Sequence, residues 1–295
     1  MKKFNNLNLE TRSMKGATKQ AGFFHLPNDH IVKTIGVATL LCLVCSIIVS
    51  GAATLLKPTQ VANALLDKKN NILAVSGISL EGKTVDQAFE QIDSLVIDIA
   101  TGAVTDAVDA TTFDQRKASK DAEYRVELSD DQDIAQIGGL SKYANVYLVK
   151  NQGAIDKIIL PVKGYGLWGT MYGFIALEGD ANTVSGITFY EHKETPGLGG
   201  EIENKKWQSS WVGKKVNDAS GEPILQLIKG TVVAGTPQAD YKIDGLAGAT
   251  LTSNGVTNLV QFWLGENGFG PYLDKVRGQQ NQASISMKTN VQERG

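Results

Sequence analysis

The run "TIGVATLLCLVCSIIVSGAATLL", Thr34 to Leu56, carries no charged side chain. At about 1.5 Å of rise per residue, a helix of this length crosses a hydrocarbon core of roughly 30 Å. A secretory leader is the competing reading, because "ANA" at Ala62 to Ala64 resembles a cleavage site. The run exceeds the apolar core of about 7–15 residues that a leader carries, and the segment before it is long as well. A retained transmembrane helix is therefore expected over 34–56. Residues 1–33 hold Lys2, Lys3, Arg12, Lys15, Lys19 and Lys33 against Glu10 and Asp29. That basic excess predicts a cytoplasmic tail over 1–33. Everything after Leu56 then lies on the opposite side of the membrane, outside the cytoplasm.

Beyond the anchor the texture changes twice. "VANALLDKKNNILAVSGI" and "TVDQAFEQIDSLVIDIATG" place apolar residues at near-helical spacing, which predicts a helical connector over 57–112. From Val146 onward come short runs rich in β-branched and aromatic residues, "VYLVK", "KIILPVKG", "TVSGITFYEH" and "ILQLIKG", closely punctuated by glycine. These are the marks of a mainly antiparallel sheet. With helical stretches at both ends, residues 113–277 are expected to form an α+β domain. The tail 278–295 is polar and is expected to be disordered.

Several chemistries are excluded by what the chain lacks. A net charge of -2, with no basic stripe interleaved with aromatics, gives no sign of a nucleic-acid partner. Both cysteines, Cys42 and Cys45, lie inside the apolar run. The globular part therefore has no disulfide, cysteine-ligated zinc or iron–sulfur cluster of its own. His192 is the single histidine after the anchor, which argues against a histidine metal site or a Ser-His-Asp triad. No catalytic side chain and no metal ligand is assigned. The chemistry is expected to come from a bound cofactor.

Three stretches stand out. In "DGLAGATLTSNGV", Asp244 to Val256, small residues lead into hydroxyl side chains. Val256, Leu259, Val260, Trp263 and Leu264 then follow at helical spacing. Ser253 or Asn254 is the expected cap, with Gly265 or Gly268 ending the helix. Thr252 then falls at, or just before, a helix N-terminus, where free N–H groups and the macrodipole favour an anion such as phosphate. "GYGLWGTMYGFIALEG" has too many glycines for a plain core strand and presents Trp168. "YEHKETPGLGGEI" runs from a strand end into a Gly-rich loop that presents Leu198 between Gly197 and Gly199. The glycines of this loop do not fit G-x-G-x-x-G in strand–helix context, and it has no Walker lysine.

Together these stretches resemble the C-type subunit of the bacterial sodium-translocating NADH:quinone oxidoreductase, from the anchor through Arg277. Residues 1–25 extend beyond what that family carries. The last stretch is similar to the family's flavinylation signal, D-x-x-[S/T]-G-A-[S/T]-x-T. Asp244, Gly248, Ala249, Thr250 and Thr252 fill it, and Ala247 departs from it. The resemblance implies FMN held by a phosphoester on Thr252, attached by a separate flavin transferase that uses FAD. Asp244 would be part of what the transferase reads or uses with its metal. Glu194, Thr195, Leu198 and Trp168 become the expected contacts of the isoalloxazine ring. The implied role is electron relay within a multi-subunit, membrane-bound complex that passes electrons from NADH to ubiquinone and moves sodium outward. No nicotinamide site and no intramembrane carboxylate is visible here, so neither of those steps is assigned to this chain. The related G-type subunit of the ion-translocating ferredoxin:NAD complex shares the flavin signal, but "FWLGENGFGPYL" and the long connector favour the quinone reductase. A membrane-anchored binding module without cofactor is the alternative from a different class.

Overall fold

The structure is a computed structural model that describes residues 27–280 apart from Asp29. Most of the expected cytoplasmic tail and the segment from residue 281 lie outside the described residues. The chain divides into two compact units, residues 1–62 and 63–295. A single helix, α1 (Ile31–Ser76), spans 46 residues and contains Pro58 without ending there. It is long and apolar enough to cross a membrane. Large apolar side chains from Ile31 to Leu56 stand exposed along it, as do Cys42 and Cys45.

In the second unit, the end of α1 is followed by α2 (Val85–Phe89), which opens on a capping box between Thr84 and Gln87. Next come β1 (Ile92–Asp98), β2 (Ala103–Val104), α3 (Gln115–Ala118), β3 (Arg125–Val126) and β4 (Leu140–Ser141). Four long strands follow: β5 (Tyr143–Asn151), β6 (Ala154–Tyr165), β7 (Thr170–Glu178) and β8 (Val184–Glu191). The remainder comprises α4 (Lys205–Ser209), β9 (Gln226–Leu227), β10 (Lys242–Ile243) and α5 (Thr250–Leu264). A last helix occupies 270–280, so helical structure continues past residue 277, where a disordered tail is expected from the sequence.

The central sheet has the order β2-β1-β5-β6-β7-β8, and every neighbouring pair is antiparallel. This matches the expected α+β architecture and corrects one part of it. Residues 92–98 are not connector helix but a strand paired along its whole length with β5. Ile92, Leu95, Val96 and Ile97 fit a helical spacing, yet tertiary pairing decides where β-branched residues can serve either element.

Strand alternation sorts the core into two layers. Ile158, Leu160 and Val162 of β6, with Ile175 and Leu177 of β7, share one layer with Val256, Leu259, Val260 and Trp263 of α5. The intervening Ile159, Phe174 and Ala176 share the other with Ile72, Leu73 and Val75 from the end of α1. α5 lies very close to β6. A Cβ added to Gly164 would stand 2.8 Å from the Leu259 Cβ, and one added to Gly255 would stand 2.4 Å from the Tyr165 carbonyl oxygen. Trp263 Nε1 donates to the Lys163 carbonyl at 2.7 Å, fastening the far half of the same contact.

This packing gives a direct test. Gly255→Ala puts a methyl group against backbone rather than against a flexible side chain, so the helix must move. We expect a loss of roughly 1–3 kcal/mol in urea unfolding. An unchanged midpoint would show that α5 does not depend on this approach.

Candidate functional site

The N-terminus of α5 is built differently from the sequence expectation. The helix begins at Thr250, with Ala249 as N-cap (φ -127°, ψ 54°) and no side chain capping the first turn. Ser253, expected to cap, is buried one turn in. Its hydroxyl donates to the Ala249 carbonyl at 3.1 Å and accepts from the Leu246 N–H at 3.1 Å. The helix therefore presents uncapped N–H groups, and it is long enough for its dipole to attract an anion. Gly248, at φ +71°, and Ala247 leave the approach bare.

The two threonines of the motif sit in opposite environments. Thr250 occupies the first helical position and is exposed. Thr252 is 0% exposed, and its Oγ1 donates to Glu194 Oε2 at 2.5 Å. The threonine expected to carry the flavin is thus the one whose hydroxyl has no accessible surface and is committed to a buried carboxylate.

The same contact engages Glu194, expected as a ring contact. Its side chain is buried, and its Oε1 accepts from the N–H groups of Leu167 and Trp168 at 3.0 and 2.9 Å. Two glycines make room for the carboxylate. A Cβ on Gly166 would lie 2.5 Å from Oε1, and one on Gly199 would lie 2.7 Å from Oε2. The three unusual stretches of the sequence thus meet at one carboxyl group.

Around this junction the remaining candidates point outward. Trp168 is 61% exposed, and its Nε1 donates to Thr195 Oγ1 at 3.1 Å. Leu198 is 43% exposed and reaches across Gly248, where a Cβ would stand 3.1 Å from its Cδ2. Sequence reasoning misses Tyr165, Leu167 and Leu251, which are exposed large apolar residues on the same turn and helix start. Leu251 is detectable as a leucine lying off the buried stripe of α5. Asp244 is tied internally, its Oδ1 accepting from the Val232 N–H at 2.7 Å and its carbonyl from Trp207 Nε1 at 2.9 Å. At the adjoining end of β8, Arg116 forms a bidentate pair with Glu191 at 2.6 and 3.0 Å. These hydrogen bonds hold the Glu191 carboxyl below its ordinary range.

An uncapped helix start suits a phosphate, and the exposed apolar surface beside it suits a planar ring. Together they fit a nucleotide-binding class of protein, and the FMN-binding domain family matches residues 166–265. The chain is 49% identical over 253 residues to the C-type subunit of the Na(+)-translocating NADH-quinone reductase of Pseudomonas aeruginosa, covering 84% of this chain and 97% of that one. It is 52% identical over 251 residues to the same subunit of Vibrio vulnificus, covering 85% and 97%. Shewanella oneidensis NqrC superposes with a TM-score of 0.66 at 31% identity, covering 71% of this chain and 96% of that structure. The chain belongs to this family, the C-type subunits of the Na(+)-translocating NADH-quinone reductase.

The exposure of Trp168 separates a surface residue from a core one. Trp168→Ala should change unfolding free energy by no more than about 0.5 kcal/mol. Trp263→Ala, in the core, should cost roughly 3–5 kcal/mol. A large loss at Trp168 would return it to a packing role.

Proposed function

We propose that this chain is the flavin-bearing electron-relay subunit of a sodium-pumping NADH:ubiquinone reductase, with FMN joined covalently through a phosphoester to Thr250. The observation that carries the assignment to Thr250, in place of Thr252, is the contrast between an exposed hydroxyl at the first helical position and a fully buried one. Attachment by a separate flavin transferase would join the Thr250 oxygen to the FMN phosphorus of FAD, with the pyrophosphate P–O bond broken, AMP as the leaving group and the hydroxyl proton passed to a base of the transferase. The uncapped N–H groups at the start of α5 would hold the resulting phosphodiester and favour its negative charge.

When bound, the flavin supplies the electron transfer. The chain's own residues orient and shield it. Trp168, Leu198 and Leu251 offer apolar contact, and Thr195 fixes the Trp168 indole through its Nε1. The other subunits of the complex supply and take the electrons. NADH oxidation and sodium passage belong to them. α1 anchors the protein in the bacterial inner membrane. Residues 1–33 are cytoplasmic and the flavin domain is periplasmic, on the strength of the charge asymmetry around the helix.

Three measurements test this reading. Thr250→Val keeps the shape of the side chain but deletes the hydroxyl, so the protein should fold, lack in-gel flavin fluorescence and leave the complex unable to reduce quinone. Thr252→Val should keep covalent flavin. Peptide mass spectrometry that found FMN on Thr252 would falsify the assignment to Thr250. For topology, a reporter enzyme active only in the periplasm should work when fused after Arg277 and stay silent when fused before Lys33. The reverse pattern would invert the orientation.

A further inference from the structure

We infer that Glu194 is the positioning residue of the flavin site, tying the tryptophan turn to the helix start that carries Thr250. This inference rests on the flavin reading above. The carboxylate is buried, and among the described residues no lysine, arginine or histidine forms an ion pair with it. Its counterparts are three donors from two separate pieces of chain. They are the N–H groups of Leu167 and Trp168 on one oxygen and the Thr252 hydroxyl on the other. Burying an ion without a partner charge is costly unless hydrogen bonds satisfy it, and these donors do so.

A glutamate placed only for local loop stability would bond within its own loop. Glu194 instead bonds across 26 and 58 positions of sequence. Its own N–H donates to His192 Nδ1 at 3.1 Å, which fixes the residue from behind. Gly166 and Gly199 hold the space into which the carboxyl group fits. The consequence is geometric. Trp168, on the ring side, and α5, on the phosphate side, are held in one register by a single side chain.

The test compares Glu194→Ala and Glu194→Gln in the full-length protein. Loss of the carboxylate should speed hydrogen–deuterium exchange at the Leu167 and Trp168 amides by at least about tenfold, the low end for a hydrogen bond to a charged group. Exchange in β6 and β7 beyond the turn should stay unchanged. Gln keeps an acceptor for both amides and turns a donor toward Thr252, so it should restore most of the protection. In the flavinylated complex, Glu194→Ala should keep covalent FMN but change the flavin's visible circular dichroism. The Glu194→Ala, Trp168→Ala double variant should then match Trp168→Ala alone.

Unchanged amide exchange in folded Glu194→Ala, or additive effects in the double variant, would overturn the inference. So would exchange that rises throughout the sheet, since that is a general stability role. If the Ala variant does not fold, Glu194→Gln and Thr252→Val decide. Retained turn protection with an altered flavin spectrum in Thr252→Val supports the link to α5, and a wild-type spectrum in both variants overturns it. The exchange measurement needs no flavin. A failure to find FMN on Thr250 would therefore strike the flavin reading while leaving the Glu194 result standing.

Discussion

The close approach of α5 to the β6–β7 turn is the contact on which the site depends. Gly255 lies where any side chain would strike the Tyr165 carbonyl, and Gly164 lies where one would strike Leu259. Because the backbones nearly touch, the first turn of α5 reaches the level of the tryptophan turn. Only then can the Thr252 hydroxyl and the Leu167 and Trp168 amides share one carboxylate. The apolar packing of Val256, Leu259, Val260 and Trp263 against β6 supplies the driving force, and the glycines set the distance.

Much of this arrangement is legible in the sequence, and the parts that are not share a cause. The anchor, the antiparallel strands from β5 to β8 and the amphipathic face of α5 are signalled by apolar pattern, which reports local geometry directly. β1 escapes that pattern because "IDSLVID" satisfies both helical and strand spacing, and the choice is made by β5, a distant segment. The start of α5 escapes it for the opposite reason. Ser253 is a good cap by type, but its hydroxyl is taken up by Leu246 and Ala249, which leaves alanine at the cap.

Glu194 and the threonine pair show the limit most clearly. Composition marks "ETPGLGG" and "GATLTS" as unusual, and the resemblance groups them at one site. Neither can say that Glu194 turns inward while Thr195 and Leu198 turn outward. Once α5 begins at Thr250, helical geometry settles the hydroxyls, since residues two apart do not share a face. One must point to the core if the other points to solvent. Thr252 lies on the buried side with Val256 and Leu259, and Thr250 is left outside.

The same division bears on how a relay site can be built. A cofactor that must exchange electrons with separate partners gains from an accessible ring, yet accessibility weakens non-covalent retention. In the proposed reading, a covalent phosphodiester on Thr250 would remove the second problem without deepening the pocket. The ring surface could then remain shallow, with Trp168 and Leu198 both exposed. What a shallow site loses is the rigidity that enclosure would supply. The buried Glu194 junction restores it from beneath, holding the tryptophan turn and the helix start in register while the outer face stays open. In this reading retention would fall to one exposed hydroxyl and geometry to one buried carboxylate, on opposite sides of the same helical turn.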